Sequence, residues 1–179
     1  MDTMHKKIML LLLIFFPISG YANWNVISKI DDFTDDEVKF ASYNDDHHHL
    51  QINRNEKTGY VWFFIKRKDI GSFEPNTIIE MRVDKNKVKE IDPKFLKRLS
   101  SSVGQTFYQW EPNTIAFSVW HGKEDKDKKC GFISDLLTGD TLKIRYRVST
   151  LETNSINISL NGAKDSLIET LDLKVCGKL

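Results

Sequence analysis

The chain has 179 residues, with 26 Lys and Arg against 25 Asp and Glu and a formal net charge of +1. So near a balance argues against a polyanion or an anionic membrane surface as the main partner, because both select for net positive charge, although local basic stripes remain open. The length suits one domain with a sizeable core.

The opening stretch, MDTMHKKIMLLLLIFFPISGYANW, follows the three-part plan of a secretory signal. Lys6 and Lys7 form the positive start, an apolar run from Ile8 to Ile18 follows, broken at Pro17, and Gly20 and Ala22 are the small residues before a cut. This predicts a signal peptide over residues 1–22 and a single β-rich exported domain over 23–179. Removing Lys6, Lys7 and Asp2 with the leader leaves 157 residues carrying 24 basic and 24 acidic side chains. The apolar run is shorter than the roughly 20 residues of a bilayer span. No cysteine stands at the cut to carry a lipid, so a periplasmic or secreted domain without stable membrane insertion is expected.

After Trp24 and Val26, KIDDFTDDEVKFASYN mixes acids with Phe33, Val38 and Phe40 and reads as a cover over one edge of the core. YNDDHHHLQI follows, and its alternation sets His48, Leu50 and Ile52 on one face of a strand, with His47, His49, Gln51 and Asn53 on the other. Asp45, Asp46, His47 and His49 are therefore candidate ligands for zinc or copper. Zinc takes three or four protein ligands, and spacing adds only the distant His121, so a polar lead-in to a core hairpin is the competing reading.

The hairpin turns within Asn55 to Gly59, where Asn and Gly accept positive φ. Its second arm is apolar on both faces, Tyr60, Trp62 and Phe64 on one side and Val61, Phe63 and Ile65 on the other. That pattern suits a central strand, or one whose outer face a helix or a partner covers. NTIIEMRVDKNKV predicts a strand with Ile79, Met81 and Val83 inward, and EIDPKFLKRLSSSVG a short helix or irregular loop after Pro93.

QTFYQWEPNTIAFSVW predicts a second hairpin, Thr106 to Trp110 and Thr114 to Trp120, turning at EPN. The charge run HGKEDKDKK reads as a solvated loop. CGFISDLLTGDTLKIRYRV predicts a short helix from about Gly131 to Leu137 and then a strand with Leu142, Ile144, Tyr146 and Val148 in the core. Lys143, Arg145 and Arg147 share the opposite face, a basic stripe that serves either an anionic ligand or the discouragement of edge pairing. INISLNGAKDSLIETLDL predicts a last strand and a helix from about Ala163 to Leu173. Cys130 and Cys176 make an even pair in an exported chain and read as one disulfide, worth roughly 4 kcal/mol for so long a loop. The fold class expected is mainly β, an antiparallel β-sandwich-like domain with a short mid-chain helix and a C-terminal helix.

MRVDK, FISDLLTGDTLKIRYRV and ISLNGAKDSLIETL before a terminal cysteine resemble small exported proteins of the invasion-associated locus B kind and the VasI-like accessory proteins of type VI secretion. The likeness covers roughly the last hundred residues. It implies a β-sandwich-like core with a late helix, passage through the inner membrane on a signal peptide, and no established catalytic centre. VasI-like chains tend to carry a cysteine in the early strand, where this chain has LQINRN, so no functional residue is carried over.

Three functions are compatible with these residues. The first is a non-enzymatic binding or accessory protein with a protein partner in the cell envelope, using Tyr60, Trp62, Tyr108, Trp110 and Trp120, residue types enriched where partners meet, with Lys143, Arg145 and Arg147. The second is a metal-binding protein built on the Asp-Asp-His-His-His cluster. The third is an envelope hydrolase using Asp31 with Asp35, Glu124 with Asp127, or His121 with Glu124. Nothing beside those acids marks a nucleophile or an oxyanion hole, and no nucleic-acid partner is expected.

Overall fold

The computed structural model describes residues 24–30, 32–99, 107–121 and 131–171, without the side chains of 97–99, 120 and 121. The leader over residues 1–22, the carboxylates Asp31, Glu124 and Asp127, and both cysteines lie outside them. The expected Cys130–Cys176 bridge accordingly receives no support from the structure.

The described residues form ten strands and three short helices, a mainly β architecture as expected. Strands β1 (Trp24–Ile30), β2 (Glu37–Asn44), β3 (His48–Arg54), β4 (Tyr60–Arg67), β7 (Phe107–Glu111) and β8 (Thr114–His121) make one antiparallel sheet in the order β1-β2-β3-β4-β8-β7. Strands β5 (Ile79–Val83), β6 (Lys89–Ile91), β9 (Thr141–Arg147) and β10 (Thr153–Ser159) make the second, in the order β10-β9-β5-β6. Helix α1 (Pro93–Leu99) follows β6, α2 (Gly131–Thr138) precedes β9, and α3 (Ala163–Leu171) follows β10.

Alternation decides the inner faces. Leu50 and Ile52 of β3, Val61, Phe63 and Ile65 of β4, and Ile115 and Phe117 of β8 are buried from the first sheet. Ile79, Met81 and Val83 of β5 and Leu142, Ile144 and Tyr146 of β9 meet them from the second, and all belong to one core. Phe63 and Phe117 are cross-strand partners with rings stacked at 5.7 Å, an arrangement worth about 0.5–1.5 kcal/mol beyond its area. Helix α3 packs Ala163, Leu167 and Leu171 inward and lies against β1, β2 and β3, with α2 beside it. At the sheet edge, Trp24 Nε1–H donates to the Ser159 carbonyl at 2.7 Å and ties β1 to the end of β10.

One local reading changes and one open choice is decided. The acid-rich stretch after Trp24 is no loose cover: β1 and β2 pair over their whole length, from Trp24 with Tyr43 to Ile30 with Glu37, and the acids concentrate in the turn between them. Phe33 sits at that turn, 98% exposed. The segment after Pro93 is the helix α1, begun by Asp92, whose carboxylate accepts the backbone N–H of Lys94 and of Phe95.

Candidate partner-binding surface

The histidine cluster is built around Asp45. Its Oδ1 accepts the backbone N–H of His47 at 2.8 Å and of His48 at 2.7 Å, which closes the β2–β3 turn. Strand β3 begins at His48, so His47 sits in the turn, exposed, and does not share a strand face with His49. His49 points outward and meets Ser42 Oγ through Nε2 at 2.9 Å. His48 points inward, as alternation requires, and its Nε2 lies 2.9 Å from the Tyr146 hydroxyl of the second sheet. The three imidazoles go three ways, and among the described residues no group of three or more His, Cys, Asp or Glu is placed to hold a metal.

His48 belongs to a buried polar lock between the sheets. Its cross-strand partner Arg67 is also buried, donates to both carboxylate oxygens of Asp69 at 2.9 and 2.6 Å and to the Ser72 carbonyl at 2.8 Å, and sits 5.9 Å from the Tyr146 ring centroid. Phe73 meets the same ring edge-on at 4.7 Å. Burial holds the His48 imidazole below its ordinary pKa, against the opposing pull of Asp45 and Asp69. It also pushes the Tyr146 phenol up to about 12. A base that resists protons beside a phenol that resists losing one makes a poor acid–base pair, so this cluster serves cohesion.

The outer face of the first sheet is different in kind. Tyr60, Trp62 and Phe64 project from β4 away from the core, and Tyr108 and Trp110 reach the same face from β7. Trp62 stacks on Tyr108 at 5.9 Å, Phe64 meets Trp110 at 5.4 Å, and Trp62 meets Tyr60 at 6.5 Å and Phe64 at 6.3 Å. Phe40 of β2 extends the row, edge-on to Phe64 at 6.2 Å, with Lys29 Nζ 5.5 Å from its ring centroid. Ala116 and Ser118 of β8 lie between the aromatic strands and are 0% exposed. Small residues on β8 let the rings from β4 and β7 close over them.

Six aromatic side chains thus form one continuous surface, and they are not a second core. Trp110 is 62% and Tyr108 47% exposed, while Phe40, Tyr60, Trp62 and Phe64 are half-buried against one another. Helix α1 touches β7 at the end of the sheet, and Tyr108 and Trp110 stay exposed all the same. An ion pair between Lys66 and Glu111 at 3.3 Å marks its rim, and the hydrogen bond from Lys66 holds the Glu111 carboxyl below its usual range. Asn53, the cross-strand partner of Trp62, is buried with an Oδ1 that finds no hydrogen-bond partner among the described residues. Chemically the surface offers large, rigid apolar area with few polar atoms, and the Ser42–His49 pair lies on the same side of the sheet beyond Phe40.

Tyr60, Trp62, Tyr108 and Trp110, all singled out by residue type, are brought together here. The Trp120 side chain lies outside the described residues, as does that of His121. Phe40 and Phe64 complete the surface, and period-two spacing from Trp62 was enough to place Phe64 on it. The basic stripe of Lys143, Arg145 and Arg147 stands on the outer face of the other sheet, with Arg145 ion-paired to Glu80. Comparison with protein-family models, with curated proteins and with solved structures finds no match to this chain. Fold and surface therefore define its class, a two-sheet antiparallel β domain with one aromatic and one basic outer face. Among the described residues no helix is long and apolar enough to cross a membrane.

Proposed function

We propose that the protein is a non-enzymatic binding or accessory module, exported to the periplasm or beyond by the leader expected over residues 1–22, that acts on a protein partner in the cell envelope. The observation that carries this reading is the continuous aromatic surface formed by Phe40, Tyr60, Trp62, Phe64, Tyr108 and Trp110. Monomeric domains rarely leave large contiguous apolar patches in water without a use for them. Trp and Tyr also dominate binding energy at the centres of interfaces. Trp110 and Tyr108 are the anchors a partner would desolvate, and the half-buried Phe40, Trp62 and Phe64 hold them in place.

The test is capture of envelope proteins by the tagged domain 23–179 beside a Tyr108→Ser/Trp110→Ala variant. The reading expects one stoichiometric partner with the native face and at least about a tenfold loss with the variant, as truncating a hot-spot aromatic costs more than about 1.4 kcal/mol. Equal capture by both, or no stoichiometric partner for the native domain, would refute it.

A further inference from the structure

The second outer face carries a site of another chemistry. Register sets its rows. In one row Glu80 of β5 stands opposite Arg145 of β9, the two are ion-paired, and Ser155 of β10 lies beyond. In the next row Arg82 stands opposite Lys143, with Asn157 beyond. Like charges directly across a ladder repel, and the carboxylates on either side of Arg82 along the chain are engaged elsewhere. Glu80 is engaged by Arg145, and Asp84 turns its carboxylate to the backbone N–H of Asp140 and of Thr141, at 3.0 and 2.9 Å. Among the described residues neither Arg82 nor Lys143 has an ion-pair partner.

A depression of about 430 Å³ lies over this row, lined by Arg82, Val88, Lys143, Arg145, Ser155 and Asn157, with the Arg145-paired carboxylate of Glu80 at the neighbouring row. Lys85 and Lys87 are exposed on the turn between Arg82 and Val88 and add to the positive field. A guanidinium, an ammonium, a carboxamide and a hydroxyl converge, and the two cations offer only donors. Carboxylate and phosphate both match the arginine fork, but a carboxylate has two oxygens to receive these donors and a phosphate three or four.

We propose that this depression binds a phosphate ester, the phosphate held between the Arg82 guanidinium and the Lys143 ammonium with Asn157 and Ser155 donating from β10. Val88 on the rim receives the apolar part of the ester. The site is separate from the aromatic face and does not depend on it. Its ligand is either a phospholipid headgroup or a soluble phosphorylated molecule, and the same chemistry serves both.

The experiment is an NMR titration of the ¹⁵N-labelled domain 23–179 with inorganic pyrophosphate, repeated on Arg82→Gln, Lys143→Gln and Arg147→Gln. The expected result is saturable shifts centred on residues 82, 143 and 157. Arg82→Gln and Lys143→Gln should each bind about tenfold more weakly, the factor set by one charge-assisted hydrogen bond of roughly 1.5 kcal/mol. Arg147→Gln, one row further off, should bind as the native chain does, and unchanged spectra elsewhere show that each variant is folded. Co-sedimentation with phosphatidylglycerol/phosphatidylethanolamine vesicles, lost in Arg82→Gln, would identify a lipid headgroup, and pyrophosphate binding without sedimentation a soluble ester. No saturable shift at millimolar pyrophosphate, shifts spread evenly over lysines and arginines, or equal binding by Arg82→Gln would overturn the site.

Discussion

Gly71→Ala tests the buried lock through a single methyl group. A Cβ at Gly71 would stand 2.1 Å from Arg67 Nη2 and 2.5 Å from its Cζ, so the guanidinium must leave. Gly71 is not among the residues with positive φ, so the substitution adds no backbone strain of its own. What is lost is the set of charge-assisted bonds to Asp69 and Ser72, each worth about 1.5–3 kcal/mol where buried. Asp69 has a side chain 48% exposed, so its two bonds are largely screened, which brings the total to about 2–3 kcal/mol. For a domain of this size that lowers Tm by about 4–12 °C. The assay is urea unfolding followed by tryptophan fluorescence, run as a double-mutant cycle with Arg67→Leu. In the Arg67→Leu background the added methyl displaces no charge and should cost under about 0.5 kcal/mol. Native-like stability of Gly71→Ala, or an equal cost in both backgrounds, would refute the clamp.

Three further outcomes follow from the same geometry. Burial depresses the pKa of His48, and burial with the charges of Lys68, Lys29 and Lys66 depresses that of His49. The unfolded chain then binds protons that the folded chain refuses, so stability is complete above about pH 6.5 and falls in acid, by at most about 1.4 kcal/mol per pH unit for each histidine. Urea unfolding at pH 7 and pH 5.5 should show this slope, and it should flatten in His48→Gln. Tyr146→Phe keeps the contact with Phe73 but leaves His48 Nε2 without its partner, for a loss of about 1–3 kcal/mol. Ultraviolet titration should show a phenol ionising near pH 12 in the native domain, and the Tyr146→Phe variant should lose one late-ionising phenol while keeping the raised phenol of Tyr43. Asp84→Ala removes the acceptor of two backbone N–H groups at a residue with φ of 48°; thermal unfolding should show a loss of about 2 kcal/mol or more.

The strands that show themselves in the sequence are those with one dry face and sharp punctuation. β3 and β4 announce a hairpin through alternation and the Asn55–Gly59 turn, where Gly59 takes a φ of 76°. β5, β8 and β9 alternate cleanly, and α2 and α3 end near Gly139 and begin after Gly162. β1 and β2 hide because acids crowd the turn between them and because α3, a distant element, dries their inner face. β6 is three residues long and among the described residues pairs only with β5, too short for any period to register.

The surfaces were legible as ingredients and not as assemblies. Each aromatic of the outer face stands out by type, yet their union depends on β8 pairing with β4 across more than fifty residues, which no local pattern encodes. Phe40 stayed hidden with β2. The His48–Tyr146 contact spans 98 residues, and the triple histidine reads in the sequence as a polar lead-in to the hairpin or as ligands, neither of which shows the one imidazole that bolts the sheets together. Alternation puts Arg82 on the wet face of its strand with Glu80 and Asp84, but only the β5–β9 register places it against Lys143.

The most direct measurement is site-specific photo-crosslinking in the cells that make the protein, with a photoreactive phenylalanine replacing Trp110 or Tyr108 and, as a control on the other sheet, Asn157. If the aromatic face docks an envelope protein, positions 110 and 108 should give one adduct of the same mass, and position 157 should not. Absence of an adduct at both aromatic positions, or the same adduct from position 157, would contradict the assignment of this face as the binding surface.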